Sequence, residues 1–102
     1  MNTNDAKATA KKFADLVRQK YTVSNAFLFG SFAKNTANEG SDIDVCIVSP
    51  NFGTDYSAEE MELIRMAITI DSRISPVPYT PQDLQDRYSQ LAYEITTHGV
   101  PV

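Results

Sequence analysis

With a single cysteine, Cys46, among its 102 residues, the chain can form no intrachain disulfide, and a reducing compartment is the simpler reading. Set in an apolar run, Cys46 reads as a small buried hydrophobe rather than a reactive thiol. Basic charge is also short. Nine Lys and Arg against thirteen Asp and Glu leave a net charge of −4, too acidic for a protein that holds nucleic acid over an extended basic surface. Any nucleotide must therefore be held locally. No segment approaches the run of about 18 apolar residues that a membrane span needs, and the first twenty residues are polar and periodic, unlike a signal peptide. The expectation is a cytoplasmic protein with no membrane association. Tyr21, Tyr56, Tyr79, Tyr88 and Tyr93 are scattered without the interleaved basic residues of a base-stacking platform. The one histidine, His98, falls at the end of the last expected helix, where a cation-capable ring complements the helix dipole, and is left outside the site.

What remains is the composition of an ordinary globular chain, 42% hydrophobic and 22% charged, with no internal repeat and no linker long enough to separate domains. Its length suits one hydrophobic core, so residues 1–102 are expected to form a single domain, folding alone or in a small complex. Ala10, Phe13, Ala14 and Val17, with Leu16 beside them, recur at helical spacing between about Asn4 and Lys20. Lys7, Lys11, Lys12 and Arg18 supply the solvated face of that helix. Ala26-Phe27-Leu28-Phe29 is a short apolar block ending at Gly30, the pattern of a strand buried on both faces. From Ser31 to Gly40 a helical turn capped by Ser31 gives way to a polar loop, and Asp42 to Val48 reads as a second strand that stops before Pro50. Ser57-Ala58-Glu59-Glu60 has the form of a capping box and opens a helix through Ile70, with Met61, Ile64, Ala67 and Ile68 as its buried stripe. Ser72 to Tyr79 is a third extended segment, confined to an edge by Pro76 and Pro78. Thr80-Pro81 with Asp83 starts a last helix whose apolar face is Leu84, Tyr88, Leu91 and Ile95 and which ends at Gly99; Val100-Pro101-Val102 is too short to assign firmly as an edge strand. The order implies an α/β (α+β) class, a small sheet with helices packed against it.

The densest chemical pattern combines a Gly-Ser turn after the first strand with Asp-x-Asp opening the second. Gly30 has no side chain to keep a phosphate away from the backbone, and Ser31 offers a hydroxyl and an N–H at the start of a helical turn. Lys34 follows within three residues and is a candidate phosphate contact, though an exposed lysine there needs no such task. Asp42 and Asp44, two apart on a strand, project from one face. At about 6 Å and an effective dielectric near 20 their charges repel by roughly 3 kcal/mol before screening, a conflict that a divalent cation removes. Oxygen ligands in this number suit Mg²⁺, which keeps waters and completes its shell with substrate phosphates.

Leu28-Phe29-Gly30-Ser31-Phe32-Ala33-Lys34, then Ser41-Asp42-Ile43-Asp44-Val45, with ten residues between Ser31 and Asp42, resembles the two motif blocks of the minimal nucleotidyltransferases in the DNA polymerase β superfamily. The motifs cover a small part of the chain, while size and element order agree over nearly all of it. The resemblance implies a small mixed sheet packed with helices, with Gly30, Ser31 and Lys34 toward the nucleotide and Asp42 and Asp44 as catalytic metal ligands. It implies Mg²⁺ and ATP or another nucleoside triphosphate, and transfer of a nucleoside monophosphate, AMP in the first instance, to a hydroxyl on a protein or small molecule. It further implies a HEPN-domain protein as partner in a toxin-antitoxin pair, with any oligomer left open. Two positions depart from the pattern: Asn35 stands where glycine is usual, and Ser75 where a third carboxylate is expected. Asp71, the nearest carboxylate, lies roughly 13 Å from there in extended chain. The alternative is therefore a weakly active or inactive nucleotide-binding module that acts by contact with a HEPN partner. A metal-dependent glycosyltransferase ranks last, since so short a chain has little room for a nucleotide-sugar domain.

Overall fold

A computed structural model describes residues 1–102. The first helix, α1, runs Thr3–Arg18, capped by the Asn2 side chain, which accepts from Asp5 N at 2.8 Å. Ala6, Ala10, Phe13, Ala14 and Val17 are fully buried along one stripe, as the periodicity predicts. Four strands follow in a mixed sheet: β1 (Asn25–Phe29), β2 (Ile43–Val48), β3 (Ile74–Tyr79) and β4 (Val100–Pro101), in the order β3-β2-β1-β4. β1 pairs antiparallel with β2 and with β4, and β2 pairs parallel with β3.

Both faces of the sheet are covered, which explains why β2 reads as a nearly unbroken apolar run after its acidic start. Ala26, Leu28, Ile43, Val45, Ile47 and Ile74 join the α1 stripe in the larger cluster. Phe29, Cys46 and Val48 meet Ile95 on the opposite face, with Phe27, Val77, Tyr79 and Leu84 packed around them. Pairing by β3 uses its odd-numbered residues: Ile43 N donates to Arg73 O at 2.9 Å and Ser49 N to Tyr79 O at 2.8 Å. Pro76 and Pro78 thus direct their donor-less nitrogens to the free edge, the arrangement that tolerates proline in a strand.

The second helix, α2 (Tyr56–Ile68), corrects two expectations. Its N-cap is Asp55, which accepts from Ala58 N at 3.1 Å, and not Ser57. Glu59, an interior position of the expected box, accepts from Gly53 N at 2.9 Å and ties down the preceding loop. The buried stripe is Leu63 and Ala67, flanked by Met66 and Ile70, while Met61 and Ile68 are 49% and 61% exposed. The run from Met61 to Ile70 holds apolar residues on two adjoining stripes, so periodicity alone leaves a choice that packing against β3 resolves.

The expected last helix is two. A short α3 (Pro81–Leu84) carries the predicted cap: Asp83 N donates to Thr80 Oγ1 at 3.1 Å and Thr80 N to Asp83 Oδ2 at 2.9 Å. It stops because Asp86 accepts from Tyr88 N at 2.9 Å, and Ser89 then caps α4 (Gln90–His98) by accepting from Ala92 N at 3.1 Å. Such local side-chain bonds compete with helical pairing and redirect the chain beyond them. Tyr88 and Leu91 are consequently exposed, and of the expected face Ile95 is buried and Leu84 half-buried. β3 likewise begins at Ile74 rather than Ser72, because Asp71 accepts from Arg73 N at 2.9 Å and holds a turn there. No helix is long and apolar enough to cross a membrane.

Candidate functional site

The antiparallel register sets Phe29 opposite Asp44, so the chain leaving β1 turns directly over the Asp44 side chain. Gly30 makes that turn at φ 75, and a Cβ placed there would collide with Asp44 Oδ2. Both the left-handed backbone and the space reserve this position for glycine. A helical turn follows: Lys34 N donates to Gly30 O at 3.2 Å and Thr36 N to Ser31 O at 2.9 Å. The N–H groups of Ser31, Phe32 and Ala33 and the Ser31 hydroxyl have no acceptor in the chain, the condition of donors at a helix start. Buried Phe32 anchors the turn from below, and Thr3 Oγ1 donates to Phe32 O at 2.9 Å and to Asn35 Oδ1 at 3.2 Å. Asn35 has φ 59, so the residue standing in for glycine does adopt the left-handed conformation that Asn accepts more readily than most.

Asp42 is exposed just before β2 and Asp44 is half-buried on it. Two residues apart, they share one face, the face that Ile95 covers farther along. Asp44 has neither an ion pair nor a hydrogen bond within the chain, and burial, then the charge of Asp42, push its carboxyl above the ordinary range. Beside it, in register on β3, stands Ser75. No third acid, histidine or cysteine joins the pair in a metal-binding cluster. Asp71 is held elsewhere by Arg73, whose Nε and Nη2 reach its two oxygens at 3.0 and 2.6 Å and keep its carboxyl low.

Lys34 lies on the turn as expected, with its Nζ 2.8 Å from Glu94 Oε1 on α4. Glu94 went unnoticed in the sequence, since nothing local marks a residue sixty positions away as the lysine's partner. His98 stays exposed at the end of α4, and burial pushes the Cys46 thiol up to about 12, consistent with an inert core residue. A cavity of about 380 Å³ lies by Ser41 and Arg73 but is lined by none of Gly30, Ser31, Asp42 or Asp44. The acidic pair and the Gly-Ser turn instead lie together at one end of the sheet, where Phe29 pairs with Asp44.

A Gly-Ser turn packed on an Asp-x-Asp strand, within a mixed sheet flanked by helices, defines a nucleotidyltransferase-type domain. The chain belongs to the nucleotidyltransferase domain family, which matches residues 10–97. Solved structures share this fold. One is a toxin-antitoxin with AMP-PNP, at TM-score 0.68 and 23% identity, covering 90% of this chain and 70% of that one. Another is a mutant of the toxin-antitoxin MntA-HpeT, at TM-score 0.66 and 21% identity, covering 99% and 72%. A third, described as a nucleotidyltransferase from Sulfolobus solfataricus, has TM-score 0.62 and 15% identity over 99% and 86%. No curated protein sequence matches the chain at a significant level.

Proposed function

We propose that residues 1–102 act as one nucleotidyltransferase domain that binds ATP with Mg²⁺ and transfers AMP to a hydroxyl on a protein or small molecule. The observation that carries this reading is the packing of the Gly30–Ser31 turn onto Asp44, which sets unpaired N–H donors beside an uncompensated carboxylate. Donors there suit phosphate oxygens, and the carboxylates suit a cation shared with them. Asp42 and Asp44 would hold Mg²⁺, whose contribution when bound is to neutralise charge on the phosphates. Gly30 and Ser31 cradle the β and γ phosphates and Lys34 adds a positive charge. The acceptor oxygen bonds to the α-phosphorus as the bond to pyrophosphate breaks, and the hydroxyl proton leaves to a base. As in the toxin-antitoxin structures that share the fold, the partner is a toxin, here of the HEPN class, which the transferase modifies in the cytoplasm.

Thermal unfolding with and without ATP and Mg²⁺ tests the site before any acceptor is known. A ligand at ~100 times its dissociation constant adds about 2.7 kcal/mol, on the order of 10 °C for a domain of this size. The shift should need the metal and vanish in Asp42→Ala. No shift at millimolar nucleotide would remove the site.

A second reading has its own observation in the register of Ser75 with Asp44. A serine hydroxyl neither takes a proton near neutral pH nor replaces a carboxylate at a cation. On this reading the chain binds nucleotide but restrains its partner by contact, with little turnover. Restraint of a co-expressed HEPN toxin that survives Asp42→Ala favours contact; restraint lost in that variant, with binding to the toxin intact, favours transfer.

A further inference from the structure

We infer that Glu94 sets the nucleotide affinity of this site by holding Lys34 in competition with the phosphates, an inference that rests on the nucleotide-binding reading above. Lys34 is on the helical turn that starts at Gly30, and its ammonium is already engaged, 2.8 Å from Glu94 Oε1. That carboxylate is not on a loose loop. Its neighbour Ile95 is fully buried against Phe29, Cys46 and Val48, on the sheet face that carries Asp44, so α4 is fixed against the sheet and holds Glu94 beside the lysine of the turn.

Charge decides what the pair does. Asp42 and Asp44 bring two carboxylates to the Gly-Ser turn, and the ammonium on that turn, Lys34, is paired with a third carboxylate from α4. Lys34 holds the Glu94 carboxyl below its ordinary range, with a smaller contribution from His98 one turn along α4. A triphosphate arriving at the Gly-Ser turn needs the same ammonium, on a flexible stem that is 43% exposed and free to swing. Each nucleotide bound therefore displaces Glu94 from Lys34. The ion pair acts as an internal competitor that occupies the lysine when the Gly-Ser turn holds no phosphate.

Calorimetric titration of the full chain with ATP and Mg²⁺, at one ionic strength, measures this in the wild type, Glu94→Gln, Lys34→Met and the double variant. Glu94→Gln should tighten binding about 3- to 5-fold, the scale of one exposed ion pair. Lys34→Met should weaken it, and adding Glu94→Gln to Lys34→Met should change affinity less than about 2-fold, because the cycle isolates the coupling. Glu94→Asp, which keeps the charge, should stay close to wild type. Unchanged or weaker binding in Glu94→Gln would overturn the inference, as would an undiminished gain in the Lys34→Met background, which would mean plain repulsion between Glu94 and phosphate. Absence of binding in both the wild type and Glu94→Gln would overturn the nucleotide site itself, a result distinct from intact binding that ignores Glu94.

Discussion

Replacing Asp44 with asparagine should stabilise the free protein while abolishing its response to nucleotide. The carboxylate is half-buried, has no partner in the chain, and shares a sheet face with Asp42. With residues i and i+2 of a strand ~6.5 Å apart and an effective dielectric near 20, the two charges repel by about 2.5 kcal/mol. Salt at physiological strength, with a Debye length of about 8 Å, reduces this to about 1 kcal/mol. Asparagine has the same shape and no charge, so Asp44→Asn should recover that amount and raise the melting temperature by roughly 4–8 °C in EDTA at pH 7. The gain should also depend on pH in a definite sense. The folded chain binds the Asp44 proton more tightly than the unfolded chain, so wild-type stability falls as pH rises from the ordinary carboxylate value of 3.8 through the raised folded value. The advantage of Asp44→Asn is then complete at neutral pH and absent below that window. Carboxylates held low by ion pairs, such as Asp15 and Asp71, lose their stabilisation on acidification in both proteins and cancel in the difference. Thermal unfolding in EDTA between pH 3 and pH 8, repeated with ATP and Mg²⁺ at neutral pH, reads both effects. A variant no more stable than wild type in EDTA, or a gap that ignores pH, would refute the account of Asp44 as an uncompensated charge.

Gly30→Ala should cost about 1–2 kcal/mol for the left-handed backbone alone, more once its Cβ meets Asp44, and should abolish the nucleotide-induced shift in melting temperature. At Asn35, with φ 59, alanine should destabilise by about 1 kcal/mol while glycine stays within about 0.5 kcal/mol of wild type by chemical denaturation. Leu63→Ala should lose about 2–5 kcal/mol and Met61→Ala less than about 0.5 kcal/mol, since only the former empties a buried site. Equal losses at residues 61 and 63 would mean that α2 presents the other stripe.

Where one local rule governs a segment, the sequence is enough to read it. The α1 stripe, the two apolar strands, the turn at Gly30 and the Thr80–Asp83 cap all rest on neighbours within a few positions, and each is present. The α/β (α+β) class and the sheet flanked by helices follow from them. The misread segments are those where two local rules compete. Asp55 and Ser57 could each cap α2, and the aspartate two residues earlier prevails. Asp86 and Ser89 could have been helix interior, but their bonds to Tyr88 N and Ala92 N break the helix and turn Tyr88 outward. At the site, the strand period puts Asp42 and Asp44 on one face, whereas the place of Glu94 depends on α4 folding back over β1, a long-range event with no local trace.

The two prolines of β3 bear on what can approach the edge of the sheet beside Asp44. β3 is the outermost strand on the side where Asp44 and Ser75 lie, and its outward positions 76 and 78 have no hydrogen to give. An extended peptide sliding alongside would find no donors there to zip onto, and neither would the same strand of another copy. On the transfer reading proposed above, a protein acceptor would deliver its hydroxyl from a loop or a helix, gripped by contacts away from this edge. The same barrier leaves this edge of the sheet open to solvent without making it a seed for stacking.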